Sequence, residues 1–531
     1  MSSVTVDRST SPPAIDIPPS FNVAEELISR NLAAGRAGKT AYVDDSGSYT
    51  FGQLAERVKR WAHALRALGL HQEQRVLLCL QDSIDFPTAF LGAIQAGIVP
   101  VAVNTLLTEA DYAYMLHDSR AIATIVSAPL AGTFEPILRR SPFLKHAIVA
   151  GASRPGWLSV DVLLREAEPS AEVAPTLRDE PAFWLYSSGS TGAPKGTVHV
   201  HSSPVDTAVL YSEGVLGLQP DDRIFSAPKL FFAYGLGNSL TFPLWTGATT
   251  LLMAERPTPD AVLKRFESFR PTVFCGVPTL YASLLARGLP YQERGLRRCI
   301  SAGEALPPEL LRRWREATGV DILDGIGSTE LLHIFISNRP EDVRPGTLGK
   351  PVPGYEARIC DERGEPVASG TPGDLHVRGP SAAKHYWGQR ERSRLTFQGH
   401  WTRTGDKFSV DRDGYFVYEG RADDMLKVGG IYVSPVEVES ALVAHPAVHE
   451  AAVVGRADET GLVKPMAFIV LAERHVGSPA LAAELQDYIK VHLAPYKYPR
   501  WIRFVDELPK TATGKIQRFK LREQAAHDRA G

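Results

Sequence analysis

The residues with the clearest chemical potential lie in one short stretch, YSSGSTGAPKG, at positions 186–196. Glycine allows backbone N–H groups to approach an anion closely, hydroxyl side chains add donors, and Lys195 adds a positive charge. The stretch is not a Walker A sequence, because Lys195 precedes a glycine and not a serine or threonine. Its composition fits either a phosphate-binding loop or an ordinary Gly/Ser surface turn.

Two further polar segments follow predicted buried strands. SAGEAL (301–306) ends a strand and opens a helix, so its backbone N–H groups could meet a ligand. DGIGSTE (324–330) ends in Glu330, whose carboxylate is the kind of oxygen ligand that Mg²⁺ prefers. Taken alone, the first segment is also typical of a plain strand–helix turn, and the second of a glutamate at a helix N-terminus.

Three more polar segments lie towards the end of the chain. In WTRTGDKF (401–408), Asp406 could accept hydrogen bonds from the two hydroxyls of a ribose. GRADDMLKVGG (420–430) and PKTATGKIQR (509–518) place lysines beside glycines. A Gly-Asp turn, a charged linker and a solvated basic tail are the ordinary explanations, so the meaning of these segments depends on the rest of the chain.

The elements that must position these segments alternate between strands and helices. From about residue 40 to residue 360, short apolar runs such as RVLLCLQ (75–81) and PTVFCGV (271–277) alternate with amphipathic helical runs. The alternation predicts α/β layers with largely parallel sheets. Ligands bind at the carboxyl ends of the strands in such sheets, which is where several of the polar segments occur.

The texture of the sequence changes twice after this region. Residues 346–420 are rich in Gly and Pro, with short alternating runs, which predicts a small β-barrel-like unit. Strand and helix patterns then predict a small α+β domain over 423–531, and hence a large N-terminal domain over 1–422. Residues 1–20 and 522–531 are expected to be loosely ordered.

Composition excludes several classes of partner. The chain has 531 residues, a formal net charge of −2 and a pI of about 6.7, so nothing points to nucleic acid or an anionic membrane. The N-terminus lacks an apolar signal core, and the most apolar stretch, 89–103, is too short to span a bilayer. Four cysteines without a C-x-x-C pair predict reduced, buried thiols and a cytoplasmic protein.

Together the six segments resemble one family over roughly residues 20–520. It is the adenylate-forming superfamily of acyl- and aryl-CoA synthetases, firefly luciferase and peptide-synthetase adenylation domains, and the segments follow that family's order and approximate spacing. The resemblance implies an enzyme that uses ATP and Mg²⁺ to convert a carboxylic acid into an acyl-adenylate, and then transfers the acyl group to CoA. It also implies that the C-terminal domain is mobile and rotates between the two steps.

The resemblance further implies nucleotide-binding roles. The stretch at 186–196 would wrap the β- and γ-phosphates of ATP, and Asp324 would lie on the adenine side. Thr329 would contact the α-phosphate and Glu330 would hold Mg²⁺, while Asp406 would bind the ribose. The full set implied in this way is Ser187, Ser188, Gly189, Ser190, Thr191, Gly192, Lys195, Gly196, Gly303, Glu304, Ala305, Asp324, Gly325, Ile326, Gly327, Ser328, Thr329, Asp406 and Arg421.

The C-terminal segments would complete the machinery. Lys515 matches the lysine that bridges the substrate carboxylate and the α-phosphate, and Asp423 occupies the hinge position. After rotation, Lys427 would face the site, with Gly429 and Gly430 leaving room for the pantetheine arm of CoA. The implied catalytic residues are Lys515, Lys427, Thr329 and Glu330.

The acid would be selected by FSAPKLFFAYGLGNS (225–239) and LLHIF (331–335), with Phe232 where many relatives carry a histidine. Both segments resemble those of benzoate–CoA ligases, which makes benzoate the leading candidate and aromatic acid degradation the expected context. The alternative is that Phe231 and Phe232 are ordinary core residues. The residues expected to line the ring are Ala227, Phe232, Tyr234, Gly235, Gly327, His333 and Ile334.

Other functions stay open at this stage. A stand-alone adenylation protein that loads a carrier protein, a ligase for a substituted benzoate, a non-catalytic nucleotide-binding protein and a luciferase-like oxygenase all fit the same fold. The presence of Lys515 and Glu330 argues against a non-catalytic protein. The sequence leaves the oligomeric state open, and a homodimer is one of the alternatives.

Overall fold

The structure is a computed structural model. It describes residues 3–189, 192–288, 295–304, 306–421, 424–428, 431–458, 463–493, 497–510 and 516–527.

The strands are short, and central ones such as Arg75–Cys79, Ala123–Ser127 and Val273–Gly276 are buried, as their apolar sequences predict. Up to residue 351 they are β1 (Thr5–Asp7), β2 (Ala14–Asp16), β3 (Thr40–Asp44), β4 (Gly47–Thr50), β5 (Arg75–Cys79), β6 (Val99–Ala102), β7 (Ala123–Ser127), β8 (His146–Ala150), β9 (Leu158–Ser159), β10 (Pro181–Gly189), β11 (Gly192–Val200), β12 (Arg223–Ser226), β13 (Thr249–Leu251), β14 (Val273–Gly276), β15 (Arg298–Ala302), β16 (Ile322–Gly327), β17 (Ile334–Ser337) and β18 (Lys350–Pro351). After residue 351 they are β19 (Glu356–Cys360), β20 (Gly373–Arg378), β21 (His385–Tyr386), β22 (Phe397–Gln398), β23 (Trp401–Val410), β24 (Phe416–Arg421), β25 (Leu426–Val428), β26 (Ile431–Val433), β27 (Val448–Ala457), β28 (Val463–Leu471) and β29 (Trp501–Phe504).

Helices connect most of the parallel strands. The α-helices are α1 (Val23–Ala33), α2 (Phe51–Ala67), α3 (Asp85–Gln95), α4 (Glu109–Ser119), α5 (Ala131–Phe134), α6 (Val160–Glu166), α7 (Ser203–Thr207), α8 (Ala233–Leu236), α9 (Phe242–Thr246), α10 (Pro259–Phe269), α11 (Pro278–Arg287), α12 (Pro308–Thr318), α13 (Arg390–Thr396), α14 (Pro435–Val443), α15 (Pro479–His492) and α16 (Arg518–His527). Short 3₁₀ turns cover Ala128–Leu130, Leu138–Arg140 and Thr329–Leu331, and π-helical turns cover Ala208–Glu213 and Gly237–Thr241.

Among the described residues, two large sheets carry most of the strands. One has eight strands in the order β21-β11-β10-β6-β5-β7-β8-β9, and the other has nine in the order β18-β17-β16-β15-β14-β12-β13-β3-β4. The central strands of both sheets pair in parallel, whereas the β10–β11 and β16–β17 pairs are antiparallel. The predicted α/β fold is confirmed.

Local sequence explains where α12, the helix that follows the SAGEAL segment, begins and ends. The helix begins with proline at Pro308, directly after Pro307, and ends at Gly319, whose φ of 73° is favourable for glycine alone. Leu310, Leu311 and Trp314 are buried on one face of the helix. Arg312, Arg313 and Arg315 lie on the exposed face of the helix.

The remaining strands form smaller units. Strands β19, β20, β22, β23 and β24 make an antiparallel sheet, which corresponds to the predicted β-unit. In the C-terminal region, β27, β28 and β29 form a sheet that packs with α14 and α15 through an apolar cluster that includes Val438, Leu442, Val453, Ile469 and Leu485. The predicted domain boundary falls between residues 422 and 423, which lie outside the described residues, so it stays a prediction.

The expectation of loosely ordered termini is wrong for the described residues. Strands β1 and β2 pair in an antiparallel hairpin, and the Arg8 guanidinium lies 2.9 Å from the Glu213 carboxylate. At the other end, Leu521 and Ala525 of α16 are buried. A few apolar side chains order these segments, and their polar neighbours mask that pattern in the sequence.

Two predictions from composition can be compared with the structure. Cys79, Cys275, Cys299 and Cys360 are all buried and unpaired, as predicted. Within the described ranges, no helix has the length and apolar character that crossing a membrane requires.

Candidate active site

The predicted phosphate-binding stretch forms part of a β-hairpin. β10 continues to Gly189 and β11 begins at Gly192, with Ser187 opposite Lys195 in the register. The sequence predicted a loop over this stretch, but most of its described residues belong to the two strands. Ser190 and Thr191, which join the strands, lie outside the described residues.

Glu330 lies against this hairpin, although it follows a strand of the other large sheet. Its Oε1 atom is 3.6 Å from the Lys195 Nζ and accepts a hydrogen bond from the Ser187 hydroxyl at 3.4 Å. Burial alone would raise the pKa of Glu330, but the Lys195 ammonium and a hydrogen bond from Tyr386 outweigh burial and lower the pKa. The carboxylate is therefore ionised at neutral pH.

His199 fixes the segment that carries Thr329 and Glu330. Its ring is fully buried in β11, and Nε2 lies 2.8 Å from the carbonyl oxygen of Thr329. Burial lowers the pKa of His199 to about 4, so the ring is neutral and Nε2–H donates to that carbonyl. The strand that leaves the hairpin thus also holds the Thr329 backbone.

The backbone after Glu330 contains a strained turn. Leu332 has φ 67° and ψ −37°, and the His333 N–H donates to the Leu331 carbonyl at 2.8 Å. This is a γ-turn of the rare positive-φ type, which costs about 1–3 kcal/mol for a residue other than glycine. The turn separates Glu330, which faces the hairpin, from His333, which is buried among aromatic rings.

The SAGEAL and DGIGSTE segments meet at the carboxyl ends of two adjacent parallel strands. Ser301 of β15 is in register with Asp324 of β16, and the Leu306 N–H donates to Asp324 Oδ2 at 3.4 Å. Burial raises the pKa of Asp324 well above its usual range. Gly303 has φ 94°, and Glu304 is partly buried beside it. β16 also carries Gly325, Ile326 and Gly327, and Ser328 follows it.

Asp406 and Arg421 are brought together by the β23–β24 pair. The two residues are direct partners in the antiparallel register. Asp406 is 7% exposed, and its backbone N–H donates to the Thr404 hydroxyl at 3.2 Å. The proposed ribose and nucleotide residues therefore occupy one position in the sheet.

Several of the expected ring-lining residues also come together. The rings of Tyr234 and His333 lie 5.6 Å apart, and His333 Nε2 is 3.3 Å from the Tyr234 carbonyl oxygen. Burial lowers the pKa of His333 to about 3, so this ring is neutral. Gly327 is in register with Ile334. The Tyr234 hydroxyl, however, donates to the Ile300 carbonyl at 3.1 Å, beneath β15.

The rest of the expected ring-lining set lies on one segment. Ala227 is buried in an apolar cluster with Phe225 and Phe274. Phe231 is a core residue, and the Phe232 ring packs against it at 4.4 Å with more exposure. At Gly235 a Cβ atom would come within 2.0 Å of the Lys229 carbonyl oxygen. The segment therefore turns back on itself there, and only glycine fits the turn.

The C-terminal predictions are only partly covered by the structure. Lys427 belongs to β25, where its backbone is opposite Tyr432. Lys510 pairs with Ile516, so the described chain on either side of 511–515 comes together. The expected residues that lie outside the described residues are Ser190, Thr191, Ala305, Asp423, Gly429, Gly430 and Lys515.

Sequence reasoning missed two residues that contact the site. Tyr386 donates its hydroxyl proton to Glu330 Oε1 at 2.7 Å, and no local pattern in KHYWG indicated this. Asp82 is buried after β5, and its Oδ1 accepts the Leu230 N–H at 3.2 Å, on the segment that carries Phe232. Its position at the carboxyl end of a parallel strand was a usable signal.

The arrangement of the two large sheets and the polar groups at their edges agrees with the family matches. The sequence matches the family described as AMP-binding enzyme over residues 30–387, and the AMP-binding enzyme C-terminal domain over residues 437–515. The chain belongs to the AMP-binding enzyme family. The resemblance that the six segments indicated is confirmed.

The similarity of this AMP-binding enzyme to known proteins extends over nearly its whole length. The benzoate–CoA ligase of Thauera aromatica is 59% identical over 97% of this chain and 98% of its own. The 4-hydroxybenzoate–CoA/benzoate–CoA ligase of Rhodopseudomonas palustris is 46% identical over 95% and 94%. The solved structure of a benzoate CoA ligase from Burkholderia xenovorans LB400 has a TM-score of 0.89 and 55% identity, covering 94% of this chain and 100% of that chain.

The oxygen donors of this AMP-binding enzyme fit a magnesium–nucleotide site. Mg²⁺ is usually held by one or two carboxylates together with substrate phosphates and water. Glu330 supplies one ionised, mostly buried carboxylate beside the Ser187 hydroxyl. No cluster of three or more His, Cys, Asp or Glu side chains suited to a metal occurs in the part of the chain that the structure describes. The Glu330 carboxylate and the Ser187 hydroxyl suit a metal whose remaining ligands come from nucleotide phosphates and water.

Proposed function

We propose that this AMP-binding enzyme is an ATP-dependent aryl-CoA ligase that joins benzoate to CoA and releases AMP and pyrophosphate. The observation that carries this proposal is the 59% identity, over nearly the whole chain, to a protein named benzoate–CoA ligase. The convergence of Ser187, Lys195 and Glu330 supports the nucleotide half of the reaction. The buried, unpaired cysteines support a cytoplasmic location.

The first step must bring two anions together. A carboxylate cannot be attacked by a thiol until it has displaced pyrophosphate from ATP to form an acyl-adenylate. We assign Lys195 and the hairpin backbone to the β- and γ-phosphates, Thr329 to the α-phosphate, and Lys515 to the oxygens that react. A magnesium ion bound with the nucleotide would neutralise phosphate charge, and Glu330 is the residue that would hold it.

The nucleoside would be held on the opposite side of the phosphates. Asp406 would accept hydrogen bonds from the ribose hydroxyls, with Arg421 beside it in the register. Asp324 would act on the adenine side through the SAGEAL segment, because its carboxylate already accepts the Leu306 N–H. These assignments draw on three different sheets: β15–β16 for the base, β23–β24 for the sugar and the β10–β11 hairpin for the phosphates.

The second step is attack of the CoA thiol on the adenylate. We propose that the C-terminal domain, which begins at residue 423, rotates about Asp423 after the first step. The rotation would withdraw Lys515 and present Lys427. Gly429 and Gly430 would then leave space beside the backbone for the pantetheine arm. We propose free CoA, and not a carrier protein, as the acyl acceptor.

The aryl ring would lie between the segment that carries Phe232 and Tyr234 and the turn that carries His333. His333 is 2% exposed and neutral, so it can face an apolar ring without the cost of a buried charge. Ile334 is also buried, next to Gly327. A flat ring has few torsions to lose on binding, which favours benzoate over a flexible fatty acid.

A panel of acids tests the proposal. AMP formation is measured with benzoate, 4-hydroxybenzoate, octanoate and acetate, each with and without CoA. We expect AMP formation that depends on CoA and the highest kcat/KM with benzoate, with acetate and octanoate poor. A higher kcat/KM for 4-hydroxybenzoate or octanoate would exclude the benzoate assignment. AMP formation that free CoA does not accelerate would favour a carrier protein as the acceptor.

A further inference from the structure

Tyr386 contacts both charged residues at the proposed phosphate site, Lys195 and Glu330. Its hydroxyl donates to Glu330 Oε1 at 2.7 Å. The Lys195 Nζ donates to the Tyr386 hydroxyl oxygen at 3.2 Å and lies 4.4 Å from the centre of the tyrosine ring. One side chain therefore joins the cation of the hairpin to the carboxylate of the other sheet.

The backbone around Tyr386 is fixed to the same hairpin. β21 pairs with β11, so that Tyr386 is in register with Thr197. The next residue, Trp387, donates its backbone N–H to the Gly196 carbonyl at 2.8 Å. The Tyr386 N–H donates to the Ser393 hydroxyl at 3.0 Å. Gly196 and Thr197 directly follow Lys195, so the backbone of Tyr386 and Trp387 is tied to the hairpin next to that lysine.

Chemistry dictates the direction of the bond to Glu330. The Tyr386 oxygen accepts from the Lys195 ammonium, which has only protons to donate, and the Tyr386 hydroxyl lies 2.7 Å from the Glu330 carboxylate, which has only oxygens. The phenol must then donate to the carboxylate. Glu330 Oε1 is the oxygen that all three neighbours contact: the Tyr386 hydroxyl, the Ser187 hydroxyl and the Lys195 ammonium.

We infer that Tyr386 is a positioning residue that orients the Glu330 carboxylate for the metal–nucleotide and keeps Lys195 beside it. By occupying Oε1 with protein donors, it leaves Oε2 as the oxygen for a cation that arrives with ATP. Its ring face holds the Lys195 ammonium within reach of the phosphates, through a cation–π contact. This inference rests on the proposed function, because it assumes that the site binds a triphosphate with a metal.

The first test separates metal–nucleotide binding from nucleotide binding. Titration calorimetry measures the binding of α,β-methylene-ATP with Mg²⁺, and of AMP without metal, to the wild-type chain and to Tyr386→Phe. Because the lost hydrogen bond is made to a charged group, we expect Tyr386→Phe to weaken binding of the magnesium analogue about 10-fold or more. AMP binding is expected to change by less than about twofold, a difference below 0.5 kcal/mol.

The second test asks whether Tyr386 acts through Glu330. In a double-mutant cycle, Glu330→Gln and Tyr386→Phe are combined, and binding of the magnesium analogue is measured for all four proteins. We expect Tyr386→Phe to have little further effect once Glu330 is replaced. Tyr386→Leu, which also removes the ring face beside Lys195, is expected to weaken binding more than Tyr386→Phe does.

The control is Tyr112→Phe, which removes the hydroxyl of another buried tyrosine. This hydroxyl donates at 2.8 Å to the carbonyl of Asn104, which lies in the loop before α4. It should leave binding of the magnesium analogue unchanged. Wild-type affinity in Tyr386→Phe, equal losses for AMP and the magnesium analogue, or additive effects in the cycle would each overturn the inference. A wild-type chain that does not bind the magnesium analogue would instead overturn the proposed function.

Discussion

Lys195 and Glu330 form an ion pair, 3.6 Å from Nζ to Oε1, that joins the two large sheets of the protein. Lys195 belongs to the β10–β11 hairpin of the eight-stranded sheet, and Glu330 follows β16 of the nine-stranded sheet. Both side chains are less than a fifth exposed, with 17% and 16% of their area accessible. Each charge needs the other, because a mostly buried charge without a partner is costly.

Replacing Lys515 by alanine should separate the two half-reactions. The ammonium group would offset the repulsion between the carboxylate and the α-phosphate, and loss of one such group costs about 3–4 kcal/mol. We expect adenylate formation, measured by pyrophosphate exchange, to fall about 10²–10³-fold. CoA-ester formation from supplied benzoyl-adenylate should stay close to wild type. Equal losses in both assays would refute the assigned role.

Gly430→Leu should produce the opposite pattern. The leucine side chain would fill the proposed path of the pantetheine arm, so thioester formation should fall while pyrophosphate exchange continues. Gly132→Leu is a matched control, because a Cβ atom at this exposed position of α5 meets nothing within 4 Å. If pyrophosphate exchange in Gly430→Leu falls as steeply as thioester formation, the rotation assigned to the C-terminal domain is not supported.

Gly237→Ala should disturb the acid and spare the nucleotide. A Cβ atom at residue 237 would lie 2.3 Å from Cδ2 of His333 and 3.1 Å from Cζ of Phe242. The His333 ring must shift, and overpacking of this kind costs about 1–3 kcal/mol. We expect the KM for benzoate to rise about 5-fold or more while the KM for ATP stays constant. Parallel increases in both constants would show that His333 does not line the ring site.

Acid sensitivity should follow from His201, which is buried and accepts the Val23 N–H at Nδ1 over 3.2 Å. Burial lowers the pKa of His201 to about 3, so below about pH 6.5 the unfolded chain binds a proton that the native state does not. The stability that the neutral, buried His201 ring gives the native state is complete above pH 6.5 and is lost as pH falls towards 3. Within this range, each pH unit lowers the free energy of unfolding by about 1.4 kcal/mol.

His201→Asn keeps the acceptor and removes the titration. Its free energy of unfolding in urea should therefore fall less steeply than that of the wild-type chain between pH 6 and pH 4.5. The exposed His71 provides a control as His71→Asn. A slope in His201→Asn that matches the wild type would rule out the buried histidine as a source of acid sensitivity.

The sequence predicted the fold and the strand-end segments for a clear physical reason. Apolar runs such as 75–81 are long enough to be read as buried strands, and polar residues after such runs lie at the carboxyl edge of a parallel sheet. The segment with Asp324 and Glu330 was found in this way. The structure places Glu330 just after β16 and Asp324 within β16, opposite Ser301 near the carboxyl end of β15. Their roles were implied by the family resemblance, and they stay predictions.

Contacts set by tertiary register could not be predicted. Tyr386 and Lys195 are 191 residues apart, and they meet only because the two-residue strand β21 pairs with β11. No periodicity over so few residues specifies a partner strand. The N-terminal hairpin was missed for a related reason, since its three-residue strands bury too little apolar surface to give a pattern.

The γ-turn at Leu332 has a consequence for how the enzyme fails on heating. A turn held against its own conformational preference relaxes as soon as its surrounding packing loosens, before the rest of the fold gives way. Glu330 and His333 flank this turn, so relaxation would misplace the phosphate site and the ring site together. Activity is therefore expected to disappear at a lower temperature than the cooperative melting of the two large sheets.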